Sequence, residues 1–301
     1  MLFRSSKPYY AGNQIETLRD RYLKRYLRLS IPIAASVLLG YALMRAGLLT
    51  SAAGAELSHS DWLKTYWSFP PSLVGALQDA AYRVIFLGEF RFNPPLWTMK
   101  IEFIGSLITF AFYALMPAGS AWRKALHYTI AIVSIGVFTQ REAIFYYAFL
   151  LGGVLWSLPR PEGRYKYVAL AAGFLLSSFQ YRPGFAWMPD PMLWDQKYFY
   201  SVLGAFFVLW SLRSGIADQL LAAAPMRVLG RISFSLYLTH FLVLGTFSCW
   251  FYLRFQGQLA RAVWAPLDLL LSTLLLLPIA FYFERFVDRN GIRFAKWFVN
   301  R

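Results

Sequence analysis

Long stretches of this chain are apolar on every face of a helix, and this feature limits the possible folds most strongly. Segments 31–39 and 269–283 are two examples. Water finds no polar face to solvate on such a helix, so its surroundings are lipid or other helices. The composition agrees, because 58% of the residues are hydrophobic and 15% are charged, whereas soluble domains carry about a quarter charged residues. We therefore predict an all-α protein, a polytopic bundle of transmembrane helices.

The apolar segments predict about eight membrane spans in a single membrane domain covering residues 1–301. A span needs about 20 residues to cross the hydrocarbon core. Three segments, 126–139, 143–158 and 167–180, are shorter, so we expect flanking aromatic residues to extend them or the bundle to enclose them. A short apolar segment at 80–90 is predicted to be a surface or re-entrant helix. The predicted spans are 31–49, 97–116, 126–139, 143–158, 167–180, 198–212, 233–253 and 264–283.

Lysine and arginine residues fall unevenly between the two sides that these spans define. Twenty lie on the side of both termini and 8 on the opposite side, and basic residues favour the cytoplasmic side. We therefore predict a cytoplasmic basic segment 1–28, a transmembrane bundle over 31–283 and a cytoplasmic tail 284–301. This topology explains most of the net charge of +15, and no recognition motif for nucleic acid accompanies it. The predicted partner is the lipid bilayer, with no nucleic acid.

Polar residues inside apolar spans are candidates for function, because an ionisable group is costly to bury in lipid. His240 lies in the segment FSLYLTHFLVL, about 12 Å from the cytoplasmic end of its predicted helix. Ser233, Tyr237 and His240 share one helix face at positions i, i+4 and i+7. A neutral histidine can act as a general base toward a hydroxyl. The alternative is a histidine that only packs against a neighbouring helix.

Glu102 lies near the outer end of the predicted span 97–116. Its carboxylate could orient a substrate hydroxyl, bind a cation or form a structural ion pair. Arg45 is its predicted partner, because the two residues have nearly the same depth in a hydrocarbon core of about 30 Å. Lys100 is expected to extend its charged end toward the outer interface.

A cluster of basic residues precedes the first predicted span. Arg21, Arg25 and Arg28 would share one face of a helix. Such a face suits a polyphosphorylated ligand, because guanidinium groups grip phosphate oxygens. The alternative is a topology signal that also contacts anionic lipid. The whole cluster is Arg19, Arg21, Lys24, Arg25 and Arg28.

Several chemistries are disfavoured by what the sequence lacks. It has no glycine-rich nucleotide loop and no nucleophile elbow. Its three histidines, His59, His127 and His240, show no metal-ligand spacing, so we predict no bound metal or cofactor. Its one cysteine, Cys249, cannot form an intramolecular disulfide and is expected to be a small buried side chain.

Three segments carry recognisable motifs, in a fixed order along the chain. The first is RDRYLKRYLRLSIP at 19–32, a basic stretch ahead of a span. The second is NPPLWTMKIEFIGSL at 93–107, which contains Asn-Pro-x-Leu-Trp-Thr followed by Glu-Phe. The third is LGRISFSLYLTHFLV at 229–243, which ends in Tyr-Leu-x-His. Together they resemble the acyltransferase-3 family of multi-spanning membrane acyltransferases.

The resemblance implies transfer of an acyl group, often acetyl, from cytoplasmic acyl-CoA as co-substrate to a hydroxyl of a glycan, lipid or small metabolite. It implies a donor-binding Arg-x-x-x-Arg pair in the first segment, a Trp…Glu pair in the second and a Tyr-x-x-His pair in the third. In this sequence the pairs are Arg21 and Arg25, Trp97 and Glu102, and Tyr237 and His240. The candidate catalytic residues are His240 and Glu102, and the candidate substrate-binding residues are Arg21, Arg25, Arg28, Trp97, Tyr237 and Arg45.

The sequence also departs from the family pattern. Members usually carry two further spans ahead of the basic stretch, the first with a catalytic histidine, and this sequence begins almost at that stretch. We therefore expect either that the true start lies upstream of this sequence or that the protein is a truncated, inactive relative that lacks the first two spans. Two alternative functions remain. One is an ion- or proton-coupled transporter with Arg45, Glu102 and His240 along its path. The other is a non-catalytic membrane protein that binds a partner or acyl-CoA.

Overall fold

A computed structural model describes residues 14–117, 120–181, 183–191 and 194–300. Every regular element within these ranges is helical, so the predicted all-α fold is confirmed for the part of the chain that is described. The chain divides into two compact units. We call them unit A, which comprises the described residues within 19–103 and 227–300, and unit B, which comprises those within 14–18 and 104–226.

The α-helices range from single turns to a helix of 32 residues. In chain order they are α1 (Gln14–Arg45), α2 (Ser51–Ser58), α3 (Asp61–Lys64), α4 (Leu73–Gln78), α5 (Trp97–Ala114), α6 (Ala121–Thr139), α7 (Ala143–Ser157), α8 (Tyr165–Ser177), α9 (Gln196–Leu212), α10 (Asp218–Ala222), α11 (Ala224–Val243), α12 (Cys249–Phe255), α13 (Arg261–Phe283) and α14 (Arg289–Val299).

Three helices are long and apolar enough to cross a membrane. They are Arg19–Arg45, Ala224–Phe255 and Arg261–Val299, as judged by length and composition within the described residues. Each predicted span overlaps a helix, but a membrane crossing at all eight stays a prediction. Four of the basic residues in the charge count lie outside the described residues, namely Arg4, Lys7, Arg182 and Arg301.

The observed helices extend past the predicted spans where charged residues continue the helix. The predicted span 264–283 belongs to a helix that continues to Val299, and the predicted segment 80–90 belongs to a helix that begins at Leu73. Hydropathy identifies only the apolar part of a helix, because charged residues within the same helix lower the mean hydropathy of the surrounding sequence.

Three π-helical segments interrupt the helices of unit A: Asp79–Leu87 after α4, Leu244–Ser248 between α11 and α12, and Glu284–Asp288 between α13 and α14. A π-bulge adds one residue to a turn and frees a carbonyl group. The carbonyl oxygen of Gly245 accepts a hydrogen bond of 3.0 Å from the backbone N–H of Thr50. A Cβ atom at Gly245 would overlap the ring of Trp67, so this close approach requires glycine.

Unit B is held together by close contact between α8 and α9. A Cβ atom at Gly204 would lie 2.7 Å from the carbonyl oxygen of Gly173, and one at Gly173 would lie 2.9 Å from the carbonyl oxygen of Gly204. Small residues let helix backbones approach closely in a membrane, where dispersion contacts stabilise the pair. The two glycines therefore define the contact between these helices.

Candidate functional site

The candidate site is built in unit A around the turn that leads into α5. Asn93 is fully buried, and its Nδ2 donates a hydrogen bond of 2.8 Å to the carbonyl oxygen of Leu238 in α11. Pro94 and Pro95 follow in the 3₁₀ turn Pro94–Leu96, where their fixed φ angles suit the start of a helix. A short, rigid turn thus joins the first residue of α5 to the middle of α11.

A buried carboxylate fixes the chain just ahead of this turn. Asp79 is 1% exposed and accepts hydrogen bonds of 2.6 and 3.2 Å from Arg91. Arg83 lies 3.7 Å from the same carboxylate. The hydrogen bond to Asp79 raises the pKa of the Arg91 guanidinium. A carboxylate is buried at low cost only when it is paired. Both arginines therefore support the turn.

Tyr237 connects α11 with the start of α5. Its hydroxyl donates to the carbonyl oxygen of Pro95 and lies 2.5 Å from Oγ1 of Thr98. Asn93 of the turn donates to the carbonyl oxygen of Leu238, the residue after Tyr237 in α11. The turn and α11 are therefore linked by two side chains, one from each element. Asn93 and Thr98 belong to the second motif segment but were not among the candidate site residues predicted from the sequence. The available signal was that Thr98 lies one turn before Glu102 and so shares its helix face.

Arg25 forms an ion pair with Glu102, so the first and second motif segments meet in unit A. The Arg25 side chain is 19% exposed and the Glu102 side chain is 42% exposed. Tyr26 and Phe103, the next residue in each helix, pack edge to face with ring centroids 5.9 Å apart. Nε of Arg25 is buried and has no hydrogen-bond partner among the described residues.

The prediction that Arg45 pairs with Glu102 is wrong. Arg25 and Arg45 are 20 residues apart on α1, which is about 30 Å along the helix axis. The C-terminal part of α1 instead contacts the turn before α5, because a Cβ atom at Gly40 would overlap the carbonyl oxygen of Phe92. This turn is buried beside α1 at Gly40, so α5 begins beside the body of α1 and not beside its C-terminal end at Arg45. The prediction compared the depths of Arg45 and Glu102 in the hydrocarbon core. It failed because each depth was counted from the start of a helix that was assumed to lie at the membrane surface.

His240 lies one turn after Tyr237 on α11 and is partly buried. Its Nδ1 lies 2.8 Å from the carbonyl oxygen of Tyr237 and 3.2 Å from that of Leu236. A carbonyl oxygen can only accept a hydrogen bond, so Nδ1 carries the hydrogen in the neutral ring. Nε2 is then the nitrogen with a lone pair, which is the form that a general base requires.

The three basic residues predicted to share a face do so, because α1 is helical from before Arg21 to beyond Arg28. Glu102 neutralises Arg25, so this face is less positive than its sequence indicates. Arg28 is close enough to Asp288 for their charges to interact. Lys100 packs its methylene groups over Gly88, where a Cβ atom would lie 3.1 Å from Cδ of the lysine.

The remaining candidate residues differ in their placement. Trp97 begins α5 and is 38% exposed, in the same turn as the Thr98 contact. Arg45 lies in the last turn of α1, away from the Arg25 ion pair. No group of three or more His, Cys, Asp or Glu side chains in the described ranges is arranged to hold a metal ion. Cys249 is a free, buried thiol, as expected.

These features define a helical protein with helices of transmembrane length, in which motif segments far apart in sequence form one polar cluster. The family model described as an acyltransferase domain matches residues 12–285. The chain therefore belongs to the acyltransferase-3 family.

A curated relative gives the same class of protein. Acyltransferase clz18 of Cochliobolus lunatus is 24% identical over 275 residues, which covers 74% of this chain and 58% of that protein. The chain thus spans a little over half the length of this relative. No solved structure matches the chain.

Proposed function

We propose that this protein is a multi-pass membrane acyltransferase that moves an acyl group, most often acetyl, from acyl-CoA to a hydroxyl of a glycan, lipid or small metabolite. Family membership supports the reaction class. The observation that carries the proposal is the convergence of the three motif segments in unit A. Arg25 of the first segment pairs with Glu102 of the second, and Tyr237 of the third contacts Thr98 of the second.

The proposed general base is Nε2 of His240. It removes the proton from the acceptor hydroxyl as the oxygen attacks the thioester carbonyl carbon of the donor. The C–S bond then breaks, and the thiolate of coenzyme A takes the proton from the imidazolium. The products are the acyl ester and free coenzyme A, and the histidine returns to its neutral form. Its Nδ1–H stays bound to the backbone carbonyls throughout, which holds the ring in one tautomer.

Glu102 and Tyr237 have positioning roles in this proposal. The carboxylate of Glu102 is bonded to Arg25, so the ion pair fixes its position. The hydroxyl of Tyr237 is engaged by Pro95 and Thr98, so it fixes the start of α5 relative to α11. The ion pair joins α1 to α5, and the tyrosine joins the start of α5 to α11, the helix that contains His240.

The donor phosphates are proposed to bind at the basic face of α1. This helix has 32 residues and is about 48 Å long, which exceeds a hydrocarbon core of about 30 Å. The basic first half of α1 can therefore reach the cytoplasmic interface, where acyl-CoA is found. Arg21 and Arg28 flank the Arg25 ion pair on this face and are the proposed phosphate contacts.

The finer topology belongs to the same proposal. We propose eight spans, with both termini in the cytoplasm, in a single acyltransferase domain. The asymmetry of 20 basic residues against 8 supports this orientation.

The donor site can be tested by acetyl-CoA binding to the purified full chain in lipid nanodiscs. Arg21→Ala and Arg28→Ala should each weaken binding by about tenfold or more, because each removes a charge-assisted hydrogen bond of about 1.5–3 kcal/mol. Arg45→Ala is the matched control on the same helix and should bind like the unchanged protein. Unaltered affinity in both Arg21→Ala and Arg28→Ala would contradict the proposed donor site.

A further inference from the structure

Unit B contains an apolar groove between α7 and α9 with a volume of about 240 Å³. Small residues line part of it, including Ala148, Ser201 and Ala205, and larger side chains such as Phe145, Leu155 and Leu209 complete the lining. Ala205 and Leu209 are exposed, so the groove is open to its surroundings. Apolar surface on a membrane helix is normally covered by lipid chains or by another helix.

The length of the groove matches one leaflet of a bilayer. Phe145 and Leu155 mark its two ends on α7, and ten residues of helix extend about 15 Å. The hydrocarbon core of a bilayer is about 30 Å thick, so 15 Å is about the depth of one leaflet. A single extended acyl chain is therefore the apolar object that fits this length.

One end of the groove carries a fixed positive charge. Arg213 donates from Nη1 to the carbonyl oxygen of Leu155 and from Nη2 to that of Trp156, the latter at 3.2 Å. Its guanidinium carbon lies 5.4 Å from the centre of the Trp156 ring. A guanidinium has five N–H donors, and these two bonds leave others that can reach a phosphate oxygen. Tryptophan is typical of the headgroup level of a membrane.

The loop between α7 and α8 adds to this charge. Residues 158–166, which comprise this loop and the first two residues of α8, contain three basic residues and one acidic residue, and their backbone is joined to α9 by side-chain bonds. Trp210 donates to the carbonyl oxygen of Pro159 at 2.9 Å, and Ser211 donates to that of Lys166 at 2.7 Å. The basic loop is thus held beside the Arg213 end of the groove.

We propose that this groove is a binding site for an anionic phospholipid, with one acyl chain between α7 and α9 and the phosphate at Arg213. The apolar lining provides affinity through burial of methylene groups, and the guanidinium provides the preference for a negatively charged headgroup. This site is independent of acyl transfer and lies wholly within unit B.

The test uses the purified full chain in nanodiscs with a photo-crosslinkable phosphatidylglycerol that carries a diazirine on one acyl chain. Phosphatidylcholine with the same chains is the comparison lipid. Ala205→Trp fills the groove, and Ala131→Trp fills a second apolar groove between α5 and α6 as the matched control. Arg213→Gln removes the charge, and Arg213→Lys keeps it. Folding of each variant is checked by its melting temperature.

The proposal predicts that phosphatidylglycerol cross-links concentrate on α7 and α9. Ala205→Trp should lower these cross-links about tenfold, while Ala131→Trp leaves them unchanged. Arg213→Gln should lower the phosphatidylglycerol yield toward that of phosphatidylcholine, and Arg213→Lys should retain most of the difference. Cross-links spread evenly over all apolar helices, or equal yields for the two lipids, would overturn the proposal. If Ala205→Trp fails to fold, Ala148→Leu serves as the second groove-filling variant.

Discussion

Units A and B use their polar side chains in different ways. In unit A, some bonds to backbone carbonyls, such as that of Asn93 to Leu238, are accompanied by bonds between side chains of distant motif segments, as in the Arg25–Glu102 ion pair and the Tyr237–Thr98 contact. In unit B, long-range bonds run mainly from a side chain to a backbone carbonyl. Examples are His127 to Phe112, Trp210 to Pro159 and Ser211 to Lys166.

This difference between the two units indicates which of them contains the candidate functional site. A hydrogen bond to a backbone carbonyl satisfies a buried polar side chain, and any residue type can supply the carbonyl. An ion pair between two partly buried side chains requires both residues and gains little stability over apolar packing. Such a pair is expected where the position of a charged group matters for chemistry. Unit A therefore contains the candidate site, whereas the polar bonds of unit B secure its helices.

The largest expected effect is the loss of the proposed base in unit A. His240→Ala should reduce acyl transfer by about 10²–10⁴-fold, because general-base catalysis contributes on that scale. Acetyl-CoA binding should change little. His127→Ala is the matched control in unit B, where the ring bonds to a backbone carbonyl, and turnover per folded molecule should be retained. Equal losses in the two variants would remove the proposed distinction between the units. Turnover is measured with radiolabelled acetyl-CoA and membrane extract as acceptor.

The next largest effect is expected from breaking the ion pair. Glu102→Gln leaves the partly buried Arg25 without its counter-charge, which should lower the free energy of unfolding by about 1–3 kcal/mol. Thermal unfolding in detergent measures this change. Glu162→Gln, in the exposed loop of unit B, should alter stability by less than about 0.5 kcal/mol. Equal melting temperatures for the two variants would show that the ion pair does not stabilise the fold.

An effect of similar size is expected at the turn before α5. Asn93→Asp replaces the buried donor to the Leu238 carbonyl with a carboxylate that cannot donate, which should destabilise the protein by about 1–3 kcal/mol. Asn290→Asp is a close control, because Asn290 makes the same type of bond, 2.9 Å to the Phe286 carbonyl, at an exposed position. Its melting temperature should stay close to that of the unchanged protein. A similar decrease at both positions would argue against a special role for the buried turn.

The smallest effect is expected in unit B, at the contact of α8 and α9. Gly204→Ala places a Cβ atom 2.7 Å from the Gly173 carbonyl oxygen, and overpacking of this kind costs about 1 kcal/mol or more. Gly230→Ala meets open space in α11 and should instead stabilise the protein by about 0.5–1 kcal/mol, because alanine favours the helix. Stability changes of the same sign would contradict the helix contact described for unit B.

The sequence predicted the helices better than it predicted how they meet. Apolar runs marked the helix of every predicted span, and helical spacing placed Arg21, Arg25 and Arg28 on one face correctly. The partner of Glu102 was predicted wrongly, because helix depth depends on the buried turn at Asn93–Leu96 and hydropathy does not register this turn. The bonds of Asn93 and Tyr237 to backbone carbonyls also lie beyond sequence reasoning, since any residue supplies a carbonyl. The spacing of residues in the sequence predicts which side chains share a helix face. Contacts between two helices depend also on how far one helix is shifted along its axis relative to the other.

The central claim is that Arg25, not Arg45, pairs with Glu102 and so joins two of the motif segments. A charge-reversal cycle tests it most directly, with acyl transfer and melting temperature as readouts. Arg25→Glu and Glu102→Arg should each impair both, and the double variant should recover much of the loss, with a coupling energy of about 0.5–3 kcal/mol. Arg45→Glu combined with Glu102→Arg should give no recovery. Recovery with Arg45→Glu, or additive losses in the Arg25 and Glu102 double variant, would contradict the account.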